Sequence, residues 1–199
     1  MLAAKPPKQT RKLTLASTPK VVVFGNPAKL SGRLTGSPSA GQEVKLQADG
    51  FPFDHFKQAL TATTDATGAY SFTAAPLLNT KYRVTAKGKP AATSPQVLVK
   101  VRMKLSLRVS DSTPERGAIV RFRGSVKPQH DGRLVEIQKR RRDGSYKTIS
   151  HARLRDAGDT RSRYSRRVRI RRGGVYRVRA PADTDHATGV SRGRRITVH

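Results

Sequence analysis

Residues 13–32 read LTLASTPKVVVFGNPAKLSG, and residues 105–124 read LSLRVSDSTPERGAIVRFRG. The two stretches share two leucines and two glycines, each displaced by 92 positions. Leu13, Leu15, Gly25 and Gly32 recur as Leu105, Leu107, Gly117 and Gly124. A duplicated segment of this length exceeds the roughly 20–50 residues of a solenoid repeat and suits a small domain. The sequence therefore predicts two copies of one module.

The repeat continues downstream and sets the predicted boundaries. GQEVKLQ (41–47) matches GRLVEIQ (132–138), and KYRVTA (81–86) matches VYRVRA (175–180). We predict a flexible basic leader at 1–11, a first module at 12–101 and a second, strongly basic module at 102–199. The joint VRMK (101–104) is short and lacks Gly and Ser, so we expect a limited range of angles between the modules.

Short stretches in which apolar and polar residues alternate run through both modules. Val44, Leu46 and Ala48 show the pattern, and turn-forming residues separate such stretches. Among these turns, Asp143-Gly144 is a strong signal for a tight hairpin. About seven strands per module, with turns every 8–12 residues, is typical of an antiparallel β-sandwich. The predicted fold class is all-β, with two tandem antiparallel sandwiches. FKQALTAT (56–63) stays open between a helical turn and a strand.

Longer stretches carry a family resemblance. GRLVEIQKRRRDGSYKTISHARL (132–154) and GGVYRVRAPADTDHATGVSR (173–192) resemble Ig-like or fibronectin-III-like repeats of secreted actinobacterial proteins. GRLTGSPSAGQEVKLQA (32–48) and TTDATGAYSFTAAP (63–76) are similar to carboxypeptidase-regulatory-like sandwiches of bacterial surface proteins. The resemblance implies extracellular spacer or adhesive modules that are not catalytic. One departure is Ser162, which replaces Gly68 of the first module, so a turn with positive φ is not expected there.

The charge is large and uneven. The formal net charge is +28, and residues 102–199 hold 27 Lys and Arg, 23 of them Arg, against 9 Asp and Glu. Such a field attracts polyanions, and Arg suits phosphates, carboxylates and sulfates. The predicted partners are anionic polymers, namely cell-wall polymer, polysaccharide or nucleic acid. The predicted polyanion-binding residues are Lys139, Arg140, Arg141, Arg142, Arg166, Arg167, Arg171 and Arg172. The alternative is that these cations are only solvated strand faces.

Catalysis has no support in the sequence. The five histidines are scattered, and no nucleophile, phosphate-loop or zinc-protease motif occurs. We therefore predict a non-enzymatic protein with no catalytic residues and no cofactor. Asp183-Thr-Asp185-His186 and the pair Asp156 and Asp159 offer too few oxygens for calcium, so we interpret both as polar loops and predict no metal site.

An aromatic cluster distinguishes the first module. GFPFDHF (50–56) holds three of the six phenylalanines in a predicted loop. Phe51 and Phe53 are candidates for an exposed adhesive tip. The alternative is that they fold back over the open end of the core.

The predicted location is secreted or cell surface. The N-terminal MLAAKPPKQTRK lacks the apolar region of a signal peptide, so the protein is either cytosolic or has lost its signal. No apolar run reaches the roughly 18 residues of a transmembrane span. The predicted function is a spacer or adhesive module that docks electrostatically on anionic polymers. The alternatives are an intracellular basic protein bound non-specifically to nucleic acid and a purely structural spacer.

Overall fold

The structure is a computed structural model that describes residues 10–199. Within this range the protein consists of strands, turns and loops, and no helix is present. The all-β prediction is confirmed. The chain divides into two compact units between Val101 and Arg102. The described residues contain no helix with the length and apolar character that crossing a membrane requires.

The first unit is built from ten strands in two sheets. The strands are β1 (Lys12–Leu13), β2 (Ala16–Thr18), β3 (Val21–Val23), β4 (Ala28–Thr35), β5 (Glu43–Gly50), β6 (Lys57–Thr63), β7 (Ala69–Ala74), β8 (Thr80–Ala86), β9 (Ala92–Thr93) and β10 (Val97–Arg102). One sheet has the order β1-β4-β2, with β7 also on β4, and the other has the order β3-β10-β8-β5-β6, with β9 on β8. The segment left open by the sequence forms strand β6, which pairs with β5.

The second unit repeats this plan. Its strands are β11 (Lys104–Leu105), β12 (Arg108–Val109), β13 (Ile119–Lys127), β14 (Leu134–Arg140), β15 (Tyr146–Arg153), β16 (Arg155–Asp156), β17 (Ser162–Arg169), β18 (Gly174–Ala180), β19 (Gly189–Val190) and β20 (Arg194–Ile196). One sheet has the order β11-β13-β17-β16, with β12 on β13. The other has the order β15-β14-β18-β19, with β20 on β18.

Each unit encloses one apolar core between its two sheets, which gives it a sandwich-like form. In the first unit Leu30 and Phe72 come from one sheet and Val84 from the other. In the second unit Phe122 faces Tyr176 of the opposite sheet, with ring centroids 5.7 Å apart. Full burial of such a side chain contributes about 1.5–3 kcal/mol each. The apolar residues of the alternating pattern that predicted the strands are therefore the residues that fill the cores.

The predicted leader mostly precedes the described part of the chain. Residues 1–9 lie outside the described residues, but Arg11, which we placed in the leader, is only 7% exposed. Its guanidinium donates to the backbone carbonyl of Lys87 at 2.8 Å and to Gln42 Oε1 at 3.3 Å. Arg11 therefore belongs to the folded first unit, because these acceptors hold its buried charge.

The repeated strand glycines allow a close backbone approach. The hydroxyl of Tyr70 donates to the carbonyl of Thr14 directly over Gly32. In the second unit the hydroxyl of Tyr164 donates to the carbonyl of Ser106 at 2.6 Å, over Gly124. A Cβ on either glycine would overlap the accepting carbonyl. Steric crowding thus explains why Gly occurs at this position in both modules. The tyrosine whose hydroxyl bonds over it lies on β7 in the first unit and on β17 in the second.

Two more polar contacts occur in both units. Ser94 Oγ accepts from the backbone N–H of Val84 at 2.9 Å, and Ser191 Oγ accepts from Val178 at the same distance. Gln47 Oε1 accepts from Arg83 Nε at 2.7 Å, and Gln138 Oε1 accepts from Arg177 Nε at 2.9 Å. Each of these arginines also lies over an aromatic ring, Phe56 at 4.1 Å and Tyr146 at 3.5 Å from the ring centroid. The two units therefore share internal contacts as well as strand order.

The departure at Ser162 is accommodated without a left-handed residue at that position. Ser162 is fully buried at the start of β17 and lies in extended strand. The positive φ of this connection falls instead on Gly158, at 94°.

We expect Gly32→Ala to destabilise the first unit by about 1–3 kcal/mol, the usual cost of overpacking. The added Cβ collides with the carbonyl of Thr14 and displaces the hydroxyl of Tyr70. Gly50→Ala is the matched control, because Gly50 is also a strand glycine and its nearest atom is Thr80 Oγ1 at 3.8 Å. Urea unfolding followed by circular dichroism measures both variants. Equal losses would contradict the steric explanation.

We expect the difference in free energy of unfolding between the wild type and Tyr70→Phe to depend on pH. At pH 8 the variant loses about 1–3 kcal/mol, because the carbonyl of Thr14 loses its buried donor. Burial raises the pKa of Tyr70 to about 12. Between pH 10 and 12 the hydroxyl ionises in the unfolded chain before it ionises in the folded one. The hydroxyl's contribution to the free energy of unfolding therefore falls over this range in the wild type, whereas the variant has no hydroxyl and shows no such fall. Unfolding at several pH values checks this, and a gap constant across that window would refute it.

Candidate polyanion-binding surface

The hairpin between β14 and β15 carries the longest run of cations. Arg141 donates its backbone N–H to the carbonyl of Ser145 at 2.7 Å. Asp143 Oδ1 accepts from the backbone N–H and the hydroxyl of Ser145 at 2.8 and 2.7 Å. Gly144 has φ 84°, in the left-handed region that glycine favours. The tight turn that Asp143-Gly144 predicts is confirmed, and it leaves Arg140–Arg142 exposed.

These cations line a groove together with Arg172, which lies in the loop between β17 and β18. The groove has a volume of about 580 Å³. Its basic lining consists of Lys139, Arg140, Arg141, Arg142, Lys147 and Arg172. We call it the tip groove. Five of these six residues were predicted as polyanion-binding, and the fold brings Arg172 to the other four from the loop between β17 and β18.

The carbonyl of Arg172 organises the floor of the tip groove. It accepts from the hydroxyl of Tyr176 at 2.6 Å and from Lys139 Nζ at 3.0 Å. Lys139 Nζ also lies 5.6 Å from the ring centroid of Tyr176. Burial, and then the positive charge of Arg172, lower the pKa of Lys139. The cations are thus packed closely enough to oppose one another's charge.

A second groove lies on the outward face of the sheet that contains β13 and β17. Its volume is about 530 Å³ and its basic lining consists of Arg121, Arg155, Arg163 and Arg167. Arg121 is the cross-strand partner of Arg167, and Arg155 is that of Arg163. We call it the sheet groove. Of its four arginines only Arg167 was among the predicted residues.

The remaining predicted cations do not join either groove. Arg166 and Arg167 are consecutive strand residues and so point to opposite faces. Arg166 lies opposite Phe122 in the ladder and donates from Nε to Ser150 Oγ at 3.1 Å. Arg171 is exposed in the loop that follows β17. The eight predicted cations therefore do not form one continuous site.

Sequence reasoning missed several cations that the fold brings together. Lys147, Arg121, Arg155 and Arg163 line the two grooves. A further groove of about 770 Å³ gathers Arg108, Arg123, Arg192, Arg194 and Arg195. Strand alternation marks Arg121, Arg123 and Arg163 as outward-facing, but only the pairing register shows which of them are neighbours.

Within the described part of the chain, acidic side chains form no ion pair with these predicted residues. Ion pairs within residues 10–199 involve Lys45, Arg133, Arg179, His130 and His186 as the basic partners. None of the eight predicted cations forms one. Their charge is therefore available to an external anion.

The aromatic candidates of the first unit are half-buried. The rings of Phe51 and Phe53 meet edge to face with centroids 5.8 Å apart. Lys81 Nζ lies 4.4 Å from the ring centroid of Phe53. Phe53 has φ 70°, which is rare for a bulky residue, and its N–H donates to the carbonyl of Gly50 at 2.9 Å. Phe51 and Phe53 therefore match neither alternative in full: they are not a fully exposed adhesive tip, and they are not fully buried over the core.

The polar loop at Asp183 has a neighbour that the sequence did not suggest. His130, from the loop between β13 and β14, lies beside Asp183, Asp185 and His186, from the loop between β18 and β19. One ligand atom from each of the four lies within 4.8 Å of the others. Asp156 and Asp159, the other acidic pair, are not part of this cluster.

Comparison with protein-family models finds no match to this chain. Comparison with curated proteins likewise finds no significant match.

We expect Arg172→Gln to raise the pKa of Lys139, because the variant removes one of the two causes that lower it. The rise is partial, since the burial of Lys139 remains. Arg171→Gln is the matched control, as Arg171 is the adjacent exposed arginine. NMR titration of the lysine ¹³Cε resonance measures both variants. An equal rise in the two would mean that general charge, and not Arg172, acts on Lys139.

Proposed function

We propose that this protein is a non-enzymatic, secreted or cell-surface protein whose two Ig-like or fibronectin-III-like modules act as a spacer or adhesive unit. Its second unit docks electrostatically on an anionic polymer. The single observation that carries the docking proposal is the tip groove, in which six cations from the β14–β15 hairpin and the β17–β18 loop line one concavity. None of the six forms an ion pair with an acidic residue among residues 10–199.

Strand order supports the Ig-like assignment. An Ig constant-type domain places strands A, B, E and D in one sheet and C, F and G in the other. In the second unit β11, β13, β17 and β16 follow the order A-B-E-D, and β14, β18 and β19 follow C-F-G, with β15 added beside β14. The first unit has the same core of pairings, with β4 between β1 and β7 and with β8 between β5 and β10.

A tyrosine contact adds to this support. Many sandwiches of this class contain a tyrosine near the start of strand F whose hydroxyl bonds to the backbone a few residues upstream. Tyr176 lies near the start of β18 and donates to the carbonyl of Arg172, four residues upstream. This contact belongs to the same loop that contributes Arg172 to the tip groove.

Electrostatics supports docking on a repeating anion. The 41 Lys and Arg outnumber the 13 Asp and Glu by 28, so most of the cations have no carboxylate of their own in the chain. Concave clusters of Arg bind phosphate, sulfate or carboxylate through paired N–H donors. A polymer can occupy several such clusters at once, and each released counterion adds to the affinity.

Recognition of single-stranded nucleic acid has weaker support. Such binders stack bases on exposed aromatic rings placed among the cations. Tyr146 is the nearest candidate, but it is half-buried and Arg177 covers one face of its ring at 3.5 Å. Tyr164 is buried. The proposal therefore treats DNA as a generic polyanion and not as the specific ligand.

We expect Arg140→Gln/Arg141→Gln/Arg142→Gln to weaken polyanion binding and its salt dependence. On duplex DNA, used as a calibrated probe, each phosphate contact contributes about 0.9 to the slope of log K against log salt. Loss of three contacts therefore lowers the slope by about 2–3. Retention on immobilised heparin and on anionic wall polymer, eluted with salt, shows whether the same groove serves sulfated and phosphate-bearing polymers.

The matched control is Arg102→Gln/Arg116→Gln/Arg161→Gln. It removes the same charge from exposed arginines of the second unit that line neither the tip groove nor the sheet groove. An equal effect of the two triple variants would show that diffuse charge alone drives binding. A wild type that elutes from every polymer below physiological salt would leave only the spacer function.

A further inference from the structure

Three of the four side chains in the cluster at Asp183 are almost removed from water. The side chains of His130, Asp183 and His186 are 8%, 6% and 1% exposed, and that of Asp185 is 32% exposed. The two imidazoles meet edge to face with centroids 5.0 Å apart. Ionisable groups buried together need a cation or shared protons to offset the loss of solvation.

The tautomer of His130 follows from its outer contact. Its Nδ1 lies 3.0 Å from the carbonyl oxygen of Pro128, which can only accept, so Nδ1 carries the proton. In a neutral imidazole Nε2 then carries a lone pair, and this nitrogen lies 3.1 Å from Asp183 Oδ2. Histidines that bind metals commonly donate their other N–H to a carbonyl in this way. Two acceptor atoms at this distance require a proton or a metal ion between them.

The carboxylates converge in the same manner. His186 Nδ1 lies 3.2 Å from Asp185 Oδ1 and 3.9 Å from Asp183 Oδ1. The imidazole nitrogen and the two carboxylate groups therefore surround one position that either a proton or a metal ion can fill.

The backbone holds the ligands in place before anything binds. Asp183 Oδ1 accepts from the backbone N–H of His186 at 2.6 Å, and the backbone N–H of Asp183 donates to the carbonyl of His186 at 3.0 Å. On the other side, Ser162 Oγ accepts from the backbone N–H of His130 at 2.7 Å. Arg133 donates to Asp183 Oδ2 at 2.6 Å, as outer partners do for a ligating carboxylate.

We propose that His130, Asp183, Asp185 and His186 form a structural Zn²⁺ site that joins the β13–β14 loop to the β18–β19 loop. Two imidazole nitrogens and two carboxylate oxygens match the donor preference of Zn²⁺ and are too few for Ca²⁺. Tetrahedral bonds of about 2.0–2.1 Å place ligand atoms about 3.3 Å apart. The separations of 3.1 and 3.2 Å already match this spacing. All four ligand atoms lie within 4.8 Å of one another, so the wider pairs must close by up to about 1.5 Å to reach it.

The proposal departs from the prediction of no metal site and is independent of polyanion docking. The sequence suggested three clustered ligands in residues 183–186, a set too small for a closed site. The fold supplies the fourth, His130, from 53 positions upstream of Asp183. Four protein ligands leave no open position for substrate, so the site is structural.

The test is titration of the full chain, without a histidine tag, with Zn²⁺ at pH 7.5. We expect one equivalent to bind with a dissociation constant in the micromolar range or below, by calorimetry and by metal analysis after dialysis. His130→Gln and Asp185→Asn should each weaken binding at least tenfold. They should also abolish the rise in melting temperature that Zn²⁺ gives the wild type.

The matched controls are His151→Gln and Asp159→Asn, which remove an exposed histidine and an exposed carboxylate from the same unit. Both should bind Zn²⁺ like the wild type. Should a ligand variant fail to fold, imidazole NMR of the wild type decides: the resonances of His130 and His186 must shift together on addition of one equivalent. Absence of stoichiometric binding, shifts at other histidines, or equal losses in the controls would overturn the proposal.

Discussion

The two-residue period of the strands is the constraint on which the rest of this protein depends. The chain holds 41 Lys and Arg and only 13 Asp and Glu, so most of its cations must remain in contact with water. Strand β13 meets this requirement by burying Val120 and Phe122 and exposing Arg121 and Arg123. Because each strand has two faces, the residues that build the core and the residues that build the basic surface come from the same short segments.

Polar contacts repeated in both units hold the sheets that carry this surface. A tyrosine hydroxyl reaches the first strand over Gly32 or Gly124, and a serine replaces a missing strand partner at Val84 or Val178. In the second unit one further hydroxyl, that of Tyr176, orients the carbonyl of Arg172, which also receives Lys139. The tip groove is thus anchored on the same kind of contact that stabilises the sheets.

The two candidate sites of the second unit lie at opposite ends of β14. The loop with His130 precedes Leu134, and the basic hairpin follows Arg140. Seven strand residues separate them by roughly 20 Å at about 3.3 Å per residue. One site is largely buried and combines imidazole with carboxylate, whereas the other is open to water and wholly cationic. The physical separation allows the loop end to be stabilised without altering the charge of the tip groove.

Much of this architecture was readable in the linear order of residues. The alternation of Val44, Leu46 and Ala48 marked a half-buried strand, the duplicated glycines marked two modules, and Asp143-Gly144 marked the hairpin that carries the cations. The strand and turn signals are local, because a strand or a tight turn is decided by residues a few positions apart, whereas the duplication is a comparison of two such segments. FKQALTAT stayed open because its side chains are mostly exposed and its pairing with β5 makes it a strand.

Proximity across strands was set by folding. Arg172 joins Lys139, Arg121 joins Arg167, and His130 joins Asp183 only after the sheets have chosen their register and the loops have closed. The same applies to Arg166 and Arg167, which are adjacent in the chain but lie on opposite faces of β17. Local sequence preferences determine which strand or turn each residue occupies. Long-range packing decides which side chains come into contact, and a binding site depends on those contacts.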